Sequence, residues 1–148
     1  MNITYLKRFI ITVLIPIIFG SLIYIVFRKN NIIFIEWLHN KILYQTDLSI
    51  SLVKYIELHE IIIYSLPDGL WTFSLINLVL IIWNYKINRY SFLWIIVAIL
   101  LSIVFELVQL TSYVKGTFDY IDLLFIIIAI FLSFIINKKQ IKINNNEN

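Results

Sequence analysis

The chain has 148 residues, of which 61% are hydrophobic and only 14% are charged. Soluble domains have roughly 45–50% apolar and about 25% charged residues, and a soluble fold of this size could not bury so much apolar surface. The composition therefore predicts a single all-α membrane domain over residues 1–140. Because the chain has no cysteine, disulfide scaffolds and thiolate metal sites are excluded. The net charge of +3 fits basic residues beside membrane spans and gives no support to nucleic-acid binding.

Four apolar segments are long enough to cross a bilayer as helices, which takes about 20 residues each. They cover residues 9–27, 67–85, 92–113 and 120–136. The first is interpreted as an uncleaved anchor, and the second is predicted to open with a turn over 65–69 that contains Pro67. Residues 141–148 are predicted to form a disordered polar tail. The pattern therefore predicts a multi-pass helical bundle with four transmembrane helices.

The long connection between the first two spans is not plainly a loop. Residues 32–42 and 47–63 each place apolar and polar side chains on opposite faces at helical spacing. One or two amphipathic helices lying in the membrane interface are therefore predicted. A short strand over 61–64 stays open as an alternative, and the two histidines, His39 and His59, match no metal-binding motif.

Basic residues in the short flanking segments predict the orientation. On the side of the N-terminus lie Lys7, Arg8, Lys86, Arg89, Lys138, Lys139 and Lys142, and on the other side lie Arg28, Lys29, Lys41, Lys54 and Lys115. Seven residues against five place both termini in the cytoplasm by the positive-inside rule. The expected location is the bacterial cytoplasmic (inner) membrane, and the four tryptophans are interpreted as an interfacial aromatic belt.

Polar side chains gather near the predicted outer ends of three spans. An ionisable residue inside a span costs about 2.5–3.5 kcal/mol on insertion scales and usually faces the bundle interior. Glu106 is such a residue, and Gln109 shares its helix face three positions later. If the third and fourth spans form a hairpin, these two side chains meet the aspartates that open the fourth span. The predicted binding residues are Asp68, Glu106, Gln109, Lys115, Asp119 and Asp122.

Most of these residues also have a structural interpretation. Asp119 and Asp122 fall in a first helical turn, where carboxylates cap free N–H groups. Asp68 is typical of turn chemistry after a proline. Glu106 is open to interpretation as a protonated buried acid or as an ion-pair partner of Lys115. Three further polar residues within the spans are expected to join helices to one another: Ser74, Asn77 and Ser102.

The segment Glu106-Leu-Val-Gln109, followed after a spacer by Gly116-Thr-Phe-Asp119-Tyr-Ile-Asp122, resembles the signature of the VanZ-like family of bacterial membrane proteins. In that family an E-x-x-Q motif ends one span and a pair of aspartates opens the next. The four-span layout is similar as well. The resemblance therefore implies an integral membrane protein of the cell envelope.

The Pro67-Asp68-Gly-Leu-Trp segment also looks like the start of the second span in VanZ-like sequences. Many family members have Asn and then Gly in the helix after the aspartate pair, whereas this chain has Ile126 and Ala129. The family's named member is associated with low-level resistance to the glycopeptide teicoplanin. The resemblance implies a link to antibiotic resistance on that basis.

Two function hypotheses follow from the acidic residues. The first is binding of a cationic, sugar-bearing or lipid-linked envelope component in an outer-leaflet acidic pocket, with the lipid bilayer as surrounding partner. The alternative is an intramembrane enzyme that acts on a lipid-linked substrate. Glu106 and Asp122 are then the candidate catalytic groups, and carboxylates hold a divalent cation. The binding hypothesis involves no cofactor or metal. An ion pathway and an assembly subunit are weaker alternatives, and the sequence leaves the oligomeric state open.

Overall fold

A computed structural model describes residues 3–27, 60–111 and 118–143. Its helices are α1 (Ile3–Phe9), a π-helical turn (Ile10–Leu14), α2 (Ile15–Phe27), α3 (Glu60–Ile82), α4 (Arg89–Val108) and α5 (Tyr120–Asn137). Two short strands, β1 (Lys86–Ile87) and β2 (Lys142–Ile143), pair in parallel. Four helical segments are long and apolar enough to cross a membrane, which confirms the predicted all-α multi-pass bundle. The two predicted interfacial segments lie almost entirely outside the described residues.

The first membrane helix contains a π-helical turn because of Pro16. Proline has no N–H to donate, and its ring crowds the carbonyl group four residues earlier, which belongs to Thr12. The N–H of Ile15 instead donates to the carbonyl oxygen of Ile10, five residues back. The Thr12 hydroxyl donates to the carbonyl oxygen of Arg8 at 2.9 Å. The helix therefore continues through the proline without a break.

Helix α3 begins earlier than the sequence predicts. The predicted turn over 65–69 is wrong, as is the alternative strand over 61–64, because the chain is helical from Glu60 through Ile82. Pro67 lies inside this helix and is fully buried. Membrane helices tolerate proline because neighbouring helices and side chains satisfy the freed backbone groups. Proline is thus a weaker signal for a helix end here than in a soluble protein.

Helix α4 also begins and ends earlier than predicted. A capping box starts it: Asn88 Oδ1 accepts from the Ser91 N–H at 2.8 Å, and Ser91 Oγ accepts from the Asn88 N–H at 2.9 Å. At the other end the helix stops at Val108, not at residue 113, and Gln109 forms the C-cap. The Glu106–Gln109 pair therefore closes the helix instead of lying within it.

Helix α3 is the central helix of the described bundle. Half of its membrane span is buried (50%), against 17% to 28% for the other three spans. It packs most extensively on α5 and α2, and less on α4. The outer faces of the other helices expose large apolar side chains, which suits contact with lipid. Helix α3 therefore carries residues that face each of the other spans.

Close approach of α3 to its neighbours depends on two glycines. A Cβ atom on Gly69 would lie 3.2 Å from both the Cβ atom and the carbonyl oxygen of Phe125 in α5. A Cβ atom on Gly20 in α2 would lie 3.1 Å from Nε1 of Trp71 in α3. Small residues at helix crossings in membranes allow such approach and increase van der Waals contact. Gly69 follows Asp68 directly, so this crossing also fixes the position of that carboxyl group.

The connection between α3 and α4 joins both chain ends at one end of the bundle. Asn84 and Tyr85 have left-handed backbone conformations, with φ of 51° and 59°. Tyr85 is buried, its carbonyl oxygen accepts from the Lys142 N–H at 2.9 Å, and the Arg8 guanidinium lies 5.8 Å above its ring. Of the predicted disordered tail, residues 142 and 143 form strand β2 and pair with β1 here. Residues 144–148 lie outside the described ranges.

Candidate functional site

Charges are completely separated between the two ends of the described bundle. Every lysine and arginine of the described residues lies at one end: Lys7, Arg8, Lys86, Arg89, Lys138, Lys139 and Lys142. Every aspartate and glutamate lies at the other: Glu60, Asp68, Glu106, Asp119 and Asp122. We call these the basic end and the acidic end. The separation follows from the helix directions, because α3 and α5 begin at the acidic end and α4 ends there.

Three of the acids lie at a similar depth inside the spans. Asp68 is four residues after the start of its span at Tyr64, Asp122 is two after Tyr120, and Glu106 is two before Val108. At 1.5 Å per residue these offsets correspond to about 3–6 Å from the ends of the candidate spans. The three side chains therefore lie just below the same surface of the bundle.

The Glu106 carboxylate is oriented by two hydrogen bonds. Gln109 Nε2 donates to Glu106 Oε2 at 2.8 Å, and the Asp119 N–H donates to Glu106 Oε1 at 3.1 Å. Glu106 is only 2% exposed. The second bond ties the end of α4 to the start of α5, where the positive end of the helix dipole favours a negative group. The predicted pairing of Glu106 with Gln109 is therefore present in the structure.

Asp119 and Asp122 have different roles. Asp119 is exposed and caps α5, because its Oδ1 accepts from the Ile121 N–H at 2.9 Å. Its side chain thus caps the helix, and the contact with Glu106 is made by its backbone N–H. Asp122, one turn into the helix, is buried and 6% exposed. Its Oδ1 has no hydrogen-bond partner among the described residues.

The carboxyl groups of Asp68, Glu106 and Asp122 converge. One oxygen from each lies within 4.8 Å of the other two. We call these three residues the acid triad. It joins three helices, since its members come from α3, α4 and α5. The sequence predicted this convergence for all three residues, but it also placed the Asp119 side chain in the group, and the structure does not.

A cavity of about 460 Å³ adjoins the acid triad. Asp68, Glu106 and Gln109 form its polar wall. The remaining lining is mostly apolar and aromatic: Tyr24, Trp71, Thr72, Leu75, Leu101, Ser102, Phe105 and Ile126. Pockets of roughly 300–1,000 Å³ with few polar groups are typical small-molecule sites. Leu101 and Phe105 are also exposed on the outer surface of α4, so the cavity borders the lipid-facing side of the bundle.

Sequence reasoning missed the aromatic part of this cavity. Trp71 was interpreted as part of an interfacial belt, but it lines the cavity, and its ring centroid lies 5.3 Å from that of Tyr24. Its spacing from Asp68, three residues on the same helix, is the signal that could have placed it there. Lys115, the predicted cationic partner, lies outside the described residues.

A second buried polar cluster lies toward the basic end, between α3 and α5. Asn137 Nδ2 donates to Asn77 Oδ1 at 2.7 Å, and Asn77 Nδ2 donates to Ser133 Oγ at 3.2 Å. All three side chains are fully buried. We call these residues the amide clamp. The expected helix-joining role is therefore confirmed for Asn77, whereas the hydroxyls of Ser74 and Ser102 donate to carbonyl oxygens of their own helices.

Compared with protein-family models, with curated proteins and with solved structures, the chain has no match. A function is therefore inferred from the chain's own sequence motif, charge distribution, acid triad and cavity.

Proposed function

We propose that the chain is a VanZ-like integral membrane protein of the bacterial cell envelope that binds an envelope or lipid-linked component at its acidic end. The observation that carries the proposal is the acid triad beside a cavity with apolar walls. Such a site suits an amphiphile, with its polar head near the carboxyl groups and its hydrocarbon part along the cavity. The fold places this site among helices that are long and apolar enough to cross a membrane.

The polar part of the site suits a head group with hydrogen-bond donors or positive charge. Carboxylate and amide oxygens accept hydrogen bonds, and Glu106 and Gln109 present them beside Trp71 and Tyr24. Aromatic rings contribute apolar contact area and attract cations to their faces. A sugar-bearing or amino-bearing head group matches this set of contacts. An anionic head group does not match this set of contacts, unless a cation lies between it and the carboxyl groups.

The apolar part of the site suits a chain that enters from lipid. Leu75, Leu101 and Phe105 line the cavity, and the last two are also exposed on the outer face of α4. A hydrocarbon chain can therefore extend along the lining while it stays in contact with the bilayer. This favours a membrane-resident ligand over a small soluble one.

The charge separation supports the proposed orientation. The basic end carries seven lysines and arginines, and by the positive-inside rule it faces the cytoplasm. Both ends of the described chain lie there, so the termini are cytoplasmic in this proposal. The acid triad then lies in the outer leaflet of the inner membrane, where cell-wall precursors and antibiotics meet the protein. The VanZ-like motif is consistent with a role in glycopeptide resistance.

The test uses envelope-antibiotic sensitivity in a strain in which deletion of the gene has a phenotype. Asp122→Asn or Glu106→Gln is expected to reproduce the deletion phenotype at matched protein level. Asp119→Asn is the control, because it removes one negative charge at the same helix end while asparagine keeps the cap. If all three variants show the same antibiotic sensitivity as wild type, the acid triad has no role in the function.

A direct binding experiment complements the phenotype. Protein purified in lipid nanodiscs is analysed by native mass spectrometry for co-purified lipid-linked species. We expect a lipid adduct on wild type that is lost when Trp71→Ala opens the cavity wall. Retention of the same adduct by this variant would place the lipid elsewhere on the protein.

An intramembrane enzyme is the second candidate, and the convergence of the triad favours it specifically. Three carboxyl groups at this spacing offer a general acid or base together with oxygen ligands for a cation. The reaction would be hydrolysis or group transfer at a lipid-linked phosphate. Incubation of purified protein with polyprenyl phosphates and divalent cations tests it, and no turnover would leave binding as the function.

A further inference from the structure

The acid triad places three carboxyl groups in a small volume, and two of them are almost completely buried. Glu106 and Asp122 are 2% and 6% exposed, and one oxygen of each lies within 4.8 Å of the other and of an Asp68 oxygen. Ionised carboxylates at such distances repel one another, more strongly in an apolar surrounding than in water. This repulsion favours a positively charged group or ion beside the three carboxyl groups.

Two buried oxygen atoms at the triad favour a cation. Asp122 Oδ1 is buried without a hydrogen-bond partner, and so is the amide oxygen of Gln109. A buried acceptor without a donor costs about 1–3 kcal/mol, more if it is charged. Carboxylate and amide oxygens are the ligands that Ca²⁺ and Mg²⁺ take in proteins. A cation at the triad would give the buried Asp122 carboxyl group a partner, and the Gln109 amide lies beside it because its Nε2 is 2.8 Å from Glu106 Oε2.

The ligand set suits Ca²⁺ better than Mg²⁺. Ca²⁺ accepts irregular sets of oxygen ligands at about 2.3–2.6 Å, whereas Mg²⁺ requires near-octahedral geometry at about 2.0–2.1 Å. The oxygens of the triad lie within 4.8 Å of one another and come from three different helices, so the adaptable shell of Ca²⁺ is the better match.

We infer that Asp68, Glu106 and Asp122 bind a divalent cation, Ca²⁺, with the amide oxygen of Gln109 as a further ligand. The site joins α3, α4 and α5, so an ion bound there links three helices at the acidic end. Asp68, Glu106 and Gln109 also line the cavity, so water or an oxygen of a bound molecule in the cavity could complete the ligand shell. The inference concerns the protein alone and stands independently of the proposed lipid ligand.

The experiment measures thermal unfolding of the full chain in nanodiscs after treatment with EDTA and titration with CaCl₂ or MgCl₂. A cation that binds only the folded state raises the midpoint of unfolding, and at about a hundredfold excess over its Kd the expected rise is about 5 °C or more. We expect this rise with Ca²⁺ and a smaller one with Mg²⁺. No rise with Ca²⁺ would overturn the inference, and a larger rise with Mg²⁺ would overturn the choice of ion.

Variants assign the ion to the triad. Asp122→Asn and Glu106→Gln are expected to weaken the apparent affinity for Ca²⁺ at least about tenfold, whereas Asp119→Asn leaves it unchanged. An equal loss in the Asp119 variant would show that surface charge, not the triad, attracts the ion. Direct binding of Mn²⁺ to wild type, followed by electron paramagnetic resonance, does not require folded variants. One bound Mn²⁺ ion that Ca²⁺ displaces supports the site, and bound Mn²⁺ that excess Ca²⁺ does not displace refutes it.

Discussion

The amide clamp allows a quantitative test of how α3 and α5 are held together. Asn77→Ala removes the 2.7 Å bond from Asn137 and the 3.2 Å bond to Ser133. Interhelical hydrogen bonds in membrane proteins contribute about 0.6 kcal/mol on average and at most about 1.7 kcal/mol. The two bonds are therefore worth about 1–2 kcal/mol, and truncation of a fully buried side chain adds a packing loss. We expect Asn77→Ala to reduce the free energy of unfolding by about 2–3 kcal/mol.

A double-mutant cycle separates the hydrogen bond from the packing loss. Asn137→Ala is combined with Asn77→Ala, and unfolding in mixed detergent micelles is followed by tryptophan fluorescence. Because each single substitution already removes the bond between the amides, the double variant should be less destabilised than the sum by about 0.5–1.5 kcal/mol. As a control cycle, Asn77→Ala is combined with Ser102→Ala, whose hydroxyl bonds only to Ala98 among the described residues. Additivity in the first cycle, within about 0.3 kcal/mol, would refute the clamp.

Three further predictions test how the helices of the bundle are joined and capped. Gly69→Ala puts a methyl group 3.2 Å from the Phe125 carbonyl oxygen. We expect the free energy of unfolding to fall by about 1–3 kcal/mol in the same assay. A variant as stable as wild type would contradict the close crossing. Arg8→Gln removes the cation over the Tyr85 ring and should lower the free energy of unfolding by about 0.5–1 kcal/mol. An unchanged midpoint of unfolding would show that this contact is not stabilising. Asp119→Ala should lower the free energy of unfolding by about 1 kcal/mol, whereas Asp119→Asn should leave it almost unchanged, because asparagine also caps helices. Equal losses in the two variants would argue against capping.

Within the described residues, the number of membrane-spanning helices could be predicted from hydropathy alone. Spans of about 20 apolar residues have few alternatives in a bilayer, because an unsatisfied backbone is costly there. The helix ends could not be predicted as well. Pro67 indicates a turn by the rules for soluble proteins, yet it lies within α3, and the capping box of Asn88 and Ser91 begins α4 before its apolar run starts. Local polar chemistry, which hydropathy does not register, sets these ends.

The acid triad was predictable in part. Glu106 and Gln109 are three residues apart on one helix, and that spacing alone predicts their contact. The approach of Asp68 to Asp122 is a tertiary property, since it depends on the crossing of α3 and α5 at Gly69. Periodicity within one helix contains no information about which neighbour it crosses. For the same reason the sequence left open whether Asp119 caps α5 or joins the triad, and the structure shows the cap.

One face of α5 carries a signal that sequence reasoning overlooked. Asp122, Ile126, Ala129, Ser133 and Asn137 recur at intervals of three or four residues, and all of them are buried. Small and polar residues on one face are typical of helix contacts in membranes. Ile126 and Ala129 are thus core positions between the acid triad and the amide clamp.

The two polar clusters lie on the same pair of helices, and this links the stability of one to the geometry of the other. A slip of α5 along α3 by one turn would move Asp122 by about 5.4 Å relative to Asp68, which is more than the distance that now separates their oxygens. The amide clamp opposes such a slip, because its hydrogen bonds are formed only in the present register. We therefore expect the Asn77→Ala, Asn137→Ala double variant to bind Ca²⁺ more weakly than wild type, although every ligand oxygen is retained. Unchanged Ca²⁺ affinity in a folded double variant would show that the Gly69 crossing alone fixes the register.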